Sequence, residues 1–419
     1  MIIFLTIILT IISFIVFMNF VTAEKKLQHK LDKQYSVSDP QFIRSVSALL
    51  GPSFIDGNTV KVLKNGDEIF PVMLNAIQQA KQTITFETFI YWAETIGEDF
   101  ADALSKRALA GVKVHVLLDW LGSVKMEQKQ LDKMMQAGVE IQRYHKPHWS
   151  HLSRLNNRTH RKLLIIDGEL GFTGGVGIAD QWLGNAGNPE EWRDTHFQVH
   201  GPVVAQMQAV FMDNWIKAQG KVFHDEHYFP VIKQAGAIPC QMFSSSPSGG
   251  SDSMQLMYLM AITAAEESIY ISSAYFVPDE MSVNALIDAA KRGVKIRIIV
   301  PGKHIDNQLV RKASRAGWGD MLKANIQIAE YTPTMYHCKI LIIDHLLVSI
   351  GSTNFDNRSF RLNDEANLNI MDKDFAIEQA NIFDDDWQHS HQITYEDWLA
   401  RPLKEKFLEK VAVLLKSQV

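Results

Sequence analysis

Two histidine–lysine pairs are the residues of this sequence best suited to chemistry: His160 with Lys162, and His337 with Lys339. One residue separates the members of each pair, so in an extended strand both side chains point to the same face. An imidazole can attack an electrophile or transfer a proton, and an ammonium beside it can neutralise an anion. One such pair would be an ordinary strand end, but two indicate a site for an anionic substrate.

The residues that follow the two pairs repeat as well. Each pair is followed by an apolar run, by an aspartate five residues after the lysine (Asp167 or Asp344) and by a glycine turn, and the second copy lies 177 residues after the first. A strand-like run that begins at Gly111 recurs at Gly293, an offset of 293 − 111 = 182 residues. Two markers in the same order at similar offsets predict an internal duplication of about 180 residues, much longer than a solenoid repeat.

Apolar runs rich in β-branched residues alternate with helix-like stretches along the chain. This pattern is typical of an α/β fold with a largely buried sheet. The predicted strands include Thr83 to Ile90, Val112 to Leu118, Leu163 to Ile166, Ser268 to Ser272, Val294 to Val300 and Ile340 to Ile343. We therefore predict two similar α/β halves related by a pseudo-twofold axis, residues 54–225 and 226–419, each a mixed β-sheet flanked by helices.

The chain begins with an uncharged apolar run from Ile2 to Ala23. At about 1.5 Å per residue this run would form a helix of about 33 Å, long enough to cross a bilayer core, so we predict one transmembrane helix at 2–23. A cleaved signal peptide is the alternative, because the run ends in small residues. The lysines that follow, beginning with Lys25 and Lys26, predict a single-pass protein of the inner cell membrane with its main body in the cytoplasm. Residues 24–53 are polar and predict a tether or an accessory helix.

Composition argues against some classes of function. A net charge of −5 offers no general basic surface, so a nucleic-acid partner is not expected. Cys240 and Cys338 are too few and too far apart for a disulfide framework or a CxxC metal site.

The segments HRKLLIID, from His160 to Asp167, and HCKILIID, from His337 to Asp344, resemble the paired HxKxxxxD motifs of the phospholipase D superfamily. The resemblance runs from about residue 54 to the C-terminal region. Three further stretches, Phe86 to Tyr91, Trp192 to His196 and Gly351 to Ser359, are most similar to bacterial cardiolipin synthases. The resemblance implies transfer of a phosphatidyl group through a phosphohistidine, with no metal or other cofactor.

A phosphodiester resists attack because it is anionic and its alkoxide is a poor leaving group. Two histidines on opposite sides of phosphorus meet both difficulties, since one attacks and the other supplies a proton. By resemblance, His160 is the nucleophile and His337 the general acid, although the pseudo-symmetry leaves the reverse assignment open. Lys162 and Lys339, with Asn354 in the second glycine turn, would hold the nonbridging oxygens.

Each histidine should also need an acidic partner on its other nitrogen, which sets tautomer and orientation. Glu365 and Asp194, which follow the second and the first motif, are the candidates. Asp167 and Asp344 follow apolar strands and are expected to support the junction between the halves rather than touch phosphate. The two halves differ at one motif position, because Gly177 stands where the second half has its asparagine.

A stretch with arginines and histidines leads into the first motif. Arg154 and Arg158 are predicted to bind an anionic headgroup, with a plain surface loop as the alternative. Three histidines between residues 145 and 151 have conceivable metal-ligand spacing, but no cysteine or close carboxylate set joins them, so no metal is expected.

The C-terminal region has apolar residues at helical spacing, from Leu403 to Leu415, with lysines between them. This pattern predicts an amphipathic helix that either packs on the body or lies on an anionic membrane.

The preferred function is phosphatidyl transfer at a membrane, making cardiolipin from phosphatidylglycerol or a related phospholipid pair. A phospholipase D-type hydrolase or a nuclease with the same two-histidine site is the alternative, because only the second nucleophile or the leaving group differs. An inactive membrane scaffold is a third hypothesis, and the intact histidine–lysine pairs in both halves argue against it. The expected partners are a phospholipid substrate and the membrane.

Overall fold

The computed structural model describes residues 35–146, 156–247 and 253–414, together with residues 5–7, 10, 13, 14, 27 and 29–33. The predicted α/β class is confirmed, because parallel and antiparallel strands form a mixed sheet with helices packed against it. The strands are β1 Ile55–Lys64, β2 Thr83–Thr88, β3 Lys113–Asp119, β4 Glu140–Tyr144, β5 Arg158–Thr159, β6 Leu163–Ile166, β7 Leu170–Gly174, β8 Thr195–His200, β9 Ile238–Ser245, β10 Ser268–Ser273, β11 Phe276–Val277, β12 Lys295–Pro301, β13 Gln327–Tyr331, β14 Lys339–Ile343, β15 Leu347–Gly351, β16 Phe355–Asp356, β17 Asn363–Met371 and β18 Ser390–Ile393.

The helices occupy the connections between these strands and both ends of the described body. They are α1 Pro40–Leu50, α2 Asn65–Gln79, α3 Thr95–Leu109, α4 Gln128–Gln136, α5 Val203–Gln219, α6 Ser253–Ala264, α7 Glu280–Lys291, α8 Gln308–Ala316, α9 Gly319–Lys323, α10 Asn357–Arg361, α11 Lys373–Gln388, α12 Tyr395–Leu399 and α13 Leu403–Val413.

The two halves arrange their strands in the same order. The first half runs β1-β8-β7-β6-β2-β3-β4 and the second runs β9-β17-β15-β14-β10-β12-β13-β18. Strands β2, β3 and β4 are parallel, as are β10, β12 and β13, whereas β6, β7 and β8 are antiparallel. The two similar mixed-sheet halves are thus confirmed, and antiparallel pairing of β1 with β9 joins them edge to edge into one continuous sheet.

Strand β6 shows how the motif strands are fixed in the sheet. Leu163 and Ile165 face an apolar core that α5 and α11 share, while Leu164 and Ile166 face the core of the first half. Strand β14 alternates in the same way between the shared core and the core of the second half. Both faces are buried, so a slip of one residue would move every side chain to the wrong core, and the positions of the preceding histidine and lysine are fixed.

The segment before the first strand includes a docked helix. In α1, Phe42 and Val46 are buried in the core of the second half. Most of the predicted membrane anchor at 2–23 lies outside the described residues. Among the residues that are described, no helix combines the length and the apolar character needed to cross a bilayer.

Candidate active site

Backbone pairing between the halves brings the two histidine motifs together. Strand β5, just before His160, pairs in parallel with β17, and the His160 N–H donates to the carbonyl of Asp364 at 2.9 Å. The second motif repeats this arrangement: Tyr336 pairs with Arg193, and the His337 N–H donates to the Arg193 carbonyl at 2.8 Å. Each histidine is therefore held by backbone of the opposite half.

The acidic partners are crossed in the same way. Nδ1 of His160 lies 3.0 Å from both carboxylate oxygens of Glu365. Nδ1 of His337 lies 2.7 Å from Oδ2 of Asp194, and all four residues are buried. The structure thus brings both predicted carboxylates to the histidines, each from the other half. A ring that donates its Nδ1–H to a carboxylate keeps its lone pair on Nε2, the atom that can then attack or accept a proton.

Both lysines are buried beside the histidines. Nζ of Lys162 donates to the carbonyl of His160 at 2.7 Å, and Nζ of Lys339 donates to the carbonyl of His337 at 2.7 Å. Nζ of Lys339 also lies 3.2 Å from Nε2 of His337. An anion that approaches Nε2 therefore meets an ammonium group, which is the arrangement that stabilises charge on phosphate oxygens.

Burial dominates the protonation of the site. It lowers the pKa of His160 to about 4 and that of His337 to about 3, and the charges of Lys162 and Lys339 act in the same direction. Burial, followed by the charge of Lys339, lowers the pKa of Lys162 to about 7. A bound anion would oppose all of these shifts, because its negative charge favours the protonated forms.

The two carboxylates behave in the opposite way. Burial by itself would raise the pKa of Glu365 and of Asp194, but the neighbouring histidine and lysine charges outweigh it and lower both pKa values. Both groups are therefore ionised at neutral pH. Each can stabilise its histidine when that ring becomes an imidazolium.

Two further side chains hold these carboxylates, and sequence reasoning assigned neither a role. The hydroxyl of Ser352 donates to Oε2 of Glu365. Nε1 of Trp182 donates to Oδ2 of Asp194 at 2.9 Å. Ser352 belongs to the second glycine turn, so its place in the motif was a usable signal, whereas Trp182 lies in a short 3₁₀ turn that has no motif around it.

Aromatic rings surround both histidines. Phe89 lies edge-on to His160, with 5.3 Å between ring centroids. Trp182 and Trp192 each lie 5.3 Å from the ring of His337. These rings exclude water and so contribute to the low pKa values of the histidines. Phe89 and Trp192 fall in stretches that resemble the family, but nothing in their spacing predicts these contacts.

The difference between Gly177 and Asn354 has a packing reason. A Cβ on Gly177 would lie 2.8 Å from Cβ of Ile90 and 3.1 Å from Cη2 of Trp182. The ring that holds Asp194 therefore occupies the space that an asparagine side chain would need. The first half supplies a tryptophan there, and the two sides of the site differ.

Asp167 and Asp344 each cap the start of a strand in their own half. The Asp167 carboxylate accepts hydrogen bonds from the backbone N–H groups of residues 81–83 at 2.7–2.9 Å. Asp344 accepts from residues 266–268 at 2.7–2.8 Å. The expected role at the junction between the halves is therefore wrong, because each aspartate follows a strand that runs away from the histidines and ends at the opposite edge of the sheet.

Replacing Asp167 with alanine should lower the free energy of unfolding by about 3 kcal/mol, because three N–H groups lose their acceptor and alanine is disfavoured in a left-handed conformation. Asp167 has a φ of 53°. Asp167→Asn should lose less, since asparagine keeps one acceptor and tolerates this conformation. Urea unfolding measures both changes. Loss of turnover in the folded protein without loss of stability would show instead that Asp167 acts in the reaction.

The remaining predicted site residues lie in the stretch before the first motif. Arg158 begins β5, where burial lowers the pKa of its guanidinium and Asp119 opposes that shift. Arg154 lies outside the described residues. Of the three nearby histidines, only His145 is described, and its Nε2 lies 3.0 Å from Oδ2 of Asp364. Within the described ranges, no group of three or more histidine, cysteine, aspartate or glutamate residues is placed to hold a metal ion.

Comparison with known proteins gives a consistent result. Residues 73–215 and 258–387 match the family described as "Cardiolipin synthase, PLD-like domain". The chain is 35% identical to cardiolipin synthase 1 of Bacillus anthracis over 377 residues, which is 87% of this chain and 73% of that protein. It is 34% identical to cardiolipin synthase A of Pseudomonas syringae pv. syringae over 361 residues, 85% of this chain and 74% of that protein. The fold is similar to that of phosphatidylserine synthase from Haemophilus influenzae, with a TM-score of 0.68 at 13% identity over 90% of this chain and 99% of that chain.

Proposed function

The chain belongs to the cardiolipin synthase family with phospholipase D-like domains, and from this premise we propose that it makes cardiolipin from phosphatidylglycerol or a related phospholipid pair. The observation that carries the proposal is the crossed arrangement of the site. His160 with Glu365 and His337 with Asp194 supply one nucleophile and one proton donor, each oriented by a buried carboxylate.

In the first proposed step, Nε2 of His160 attacks phosphorus of the donor lipid and forms a P–N bond. The P–O bond to the departing headgroup breaks, and the alkoxide takes a proton from Nε2 of His337. The anionic phosphodiester supplies the charge that raises the pKa of His337 enough for it to carry this proton. Lys162 and Lys339 stabilise the charge that builds on the nonbridging oxygens, and we propose the same role for Asn354.

In the second step the roles reverse. His337 removes the proton from a hydroxyl of the acceptor lipid, whose oxygen attacks phosphorus. The P–N bond breaks and His160 leaves as a neutral ring. With phosphatidylglycerol as both donor and acceptor, the products are cardiolipin and glycerol. Water in place of the acceptor would give phosphatidic acid.

The same proposal covers the location of the enzyme. The apolar segment 2–23 anchors it in the inner cell membrane, and the lysines that follow place the body on the cytoplasmic side. The phospholipid substrate then lies in the bilayer that holds the enzyme. Arg154 and Arg158 are proposed to bind its anionic headgroup.

Mass spectrometry of lipids tests the proposed reaction. Detergent-solubilised protein is incubated with phosphatidylglycerol, with and without phosphatidylethanolamine, and His160→Ala serves as the control. Cardiolipin formed only by the unaltered protein supports the proposal. Phosphatidic acid without cardiolipin would identify a hydrolase, and no change in any lipid would direct attention to nucleic-acid phosphodiesters.

Sulfate should bind the site less tightly as the pH rises through about 7. The pKa of Lys162 is lowered to about 7, so its positive charge is present below that pH and is lost above it. Sulfate remains a dianion over this range, and its affinity should fall by up to about tenfold per pH unit above the pKa. Isothermal titration calorimetry between about pH 6 and 9 measures the change.

Lys162→Arg is the matched variant for this titration. A guanidinium keeps its charge throughout the range, so its sulfate affinity should vary much less with pH. A wild-type affinity that is equally insensitive to pH would contradict the assignment of the titrating charge to Lys162.

A further inference from the structure

Helix α13 leaves a row of apolar side chains on the protein surface. Leu403, Phe407, Val411 and Leu414 are 82%, 66%, 44% and 79% exposed. At about 100° per residue, the four side chains fall within an arc of about 80° on one face of the helix. We call these four residues the apolar stripe. Exposed apolar residues are ordinary when they are scattered, but a contiguous row marks an interaction surface.

The opposite face of α13 is firmly docked, so the outward direction of the apolar stripe is fixed. Ala412 is completely buried and Glu409 is 4% exposed. The Glu409 carboxylate accepts hydrogen bonds from Nη2 and Nε of Arg401 at 2.8 and 3.1 Å. This buried ion pair holds the helix in one rotation about its axis.

Lysines border the apolar stripe. Lys404 and Lys410 are exposed and lie on its two sides in helical projection, while Glu405 lies on the far side of the helix. An apolar row between ammonium groups fits the surface of an anionic bilayer, where the apolar side chains enter the acyl boundary and the lysines remain among the headgroups. The charge and the apolar character thus favour a lipid surface over a protein partner.

The docked side of α13 reaches the active site through one layer of side chains. Ala412 packs in a small apolar cluster with Val277 and Met335, and Trp192 packs against that cluster. Trp192 is one of the two rings beside His337. The apolar stripe therefore lies on the surface next to the reacting histidines.

The start of the described chain lies near the same segment. Leu27 lines a groove of about 710 Å³ together with Asp279 and Met281, which follow directly on Val277. Only residues 24–26 separate Leu27 from the end of the predicted anchor, a reach of about 10 Å. A bilayer that holds the anchor must therefore pass close to this groove.

The first half contributes a second exposed patch. Leu121 and Val124 are 44% and 61% exposed on the loop after β3. By the offset of 182 residues, this loop corresponds to the one after β12, which packs under α13. Asp119, at the start of the loop, accepts the N–H of Thr159 at 3.0 Å, so the patch lies beside the strand that leads to His160.

We infer that the apolar stripe of α13, together with Leu121 and Val124, is a membrane-docking surface that seats the active site on an anionic bilayer. This inference rests on the proposed phosphatidyl transfer for its purpose. The docking gives the site access to headgroups without removing the lipid from the membrane.

Depth in the bilayer tests the surface without depending on turnover. Full-length Phe407→Cys is labelled with an environment-sensitive fluorophore and reconstituted in vesicles of phosphatidylglycerol and phosphatidylcholine. Cys240 and Cys338 are completely buried, so the introduced thiol takes the label. Spin-labelled lipids should quench this fluorophore several-fold.

Val231→Cys is the control for the labelling experiment. Val231 is 98% exposed, and the loop before it contacts the N-terminal ends of β2 and β3, the sheet edge opposite the histidines. Its label should not be quenched. No difference between the two labels would overturn the inference, as would a label at 407 that is shielded by a second copy of the chain or by its own N-terminal segment and not by lipid.

Turnover then tests the purpose of the surface. The double variant Phe407→Glu and Leu414→Glu should transfer long-chain lipid in vesicles at least about tenfold more slowly, while its rate on a monomeric short-chain donor stays unchanged. Val222→Glu with Val231→Glu should change neither rate. Equal rates for the double variant and the wild type on vesicles, or equal loss on both donors, would overturn the inference. Failure of the wild type to transfer any lipid would refute the proposed function and leave the quenching result to stand by itself.

Discussion

His337→Ala should lose turnover of natural phospholipids by about 10²- to 10⁴-fold, and yet release the leaving group from an activated donor at nearly the wild-type rate. The natural alkoxide needs the proton that His337 supplies, whereas a nitrophenolate leaves as an anion. The second step still needs His337 as a base. The variant should therefore give a burst of one nitrophenolate per site and then stop, with phosphatidyl-His160 detectable by mass spectrometry of acid-labile adducts.

His160→Ala should lose both activities by at least about 10⁴-fold, because no P–N bond can form. His200→Ala is the control, since His200 is exposed on β8 outside the site. A burst from His160→Ala and none from His337→Ala would reverse the two roles. Equal loss of both steps in both variants would refute the division of labour and leave the site itself in place.

The strands that carry the motifs were predictable because their residues are buried on both faces. The prediction of Leu163 to Ile166 agrees with β6, and Ile340 to Ile343 agrees with β14 apart from one residue. A strand buried on both faces reads as a continuous apolar run, which is unambiguous when it is short and bounded by turns. The duplication could be recognised for the same reason, since each half must bury the same strands.

The crossed partners could not be predicted in the same way. His160 contacts Glu365, 205 residues away, because β5 pairs with β17 across the two halves. No local pattern specifies which half supplies the partner of each histidine. The joining of the sheets through β1 and β9 is equally non-local, since β1 alternates like any edge strand and its partner depends on the packing of both halves.

The aromatic neighbours were missed for a different reason. Trp182 and Trp192 act through contact with His337 and Asp194, and those contacts depend on a turn whose path follows no regular spacing. The role of Asp167 was assigned wrongly because an aspartate after a strand is compatible with several kinds of contact. Only the structure shows its carboxylate accepting from three successive backbone N–H groups.

The carboxylate variants should reproduce the phenotypes of the histidines they contact in the opposite half. Asp194→Asn should behave like a milder His337→Ala, because Asp194 contacts His337 at 2.7 Å. Glu365→Gln should behave like a milder His160→Ala, because both of its oxygens lie 3.0 Å from Nδ1 of His160. Loss of an imidazolium-stabilising carboxylate costs up to about 10⁴-fold in turnover when geometry is kept.

The activated donor separates the crossed arrangement from a same-half one. With it, Asp194→Asn should still give the burst, since its histidine is not needed for the first step, whereas Glu365→Gln should lose the burst by about 10²-fold or more. Glu169→Gln, at an exposed turn, is the matched control, and urea unfolding shows whether each variant remains folded. If Asp194→Asn lost the burst and Glu365→Gln kept it, each carboxylate would serve the histidine of its own half. The crossed hydrogen bonds would then not be those that operate during the reaction.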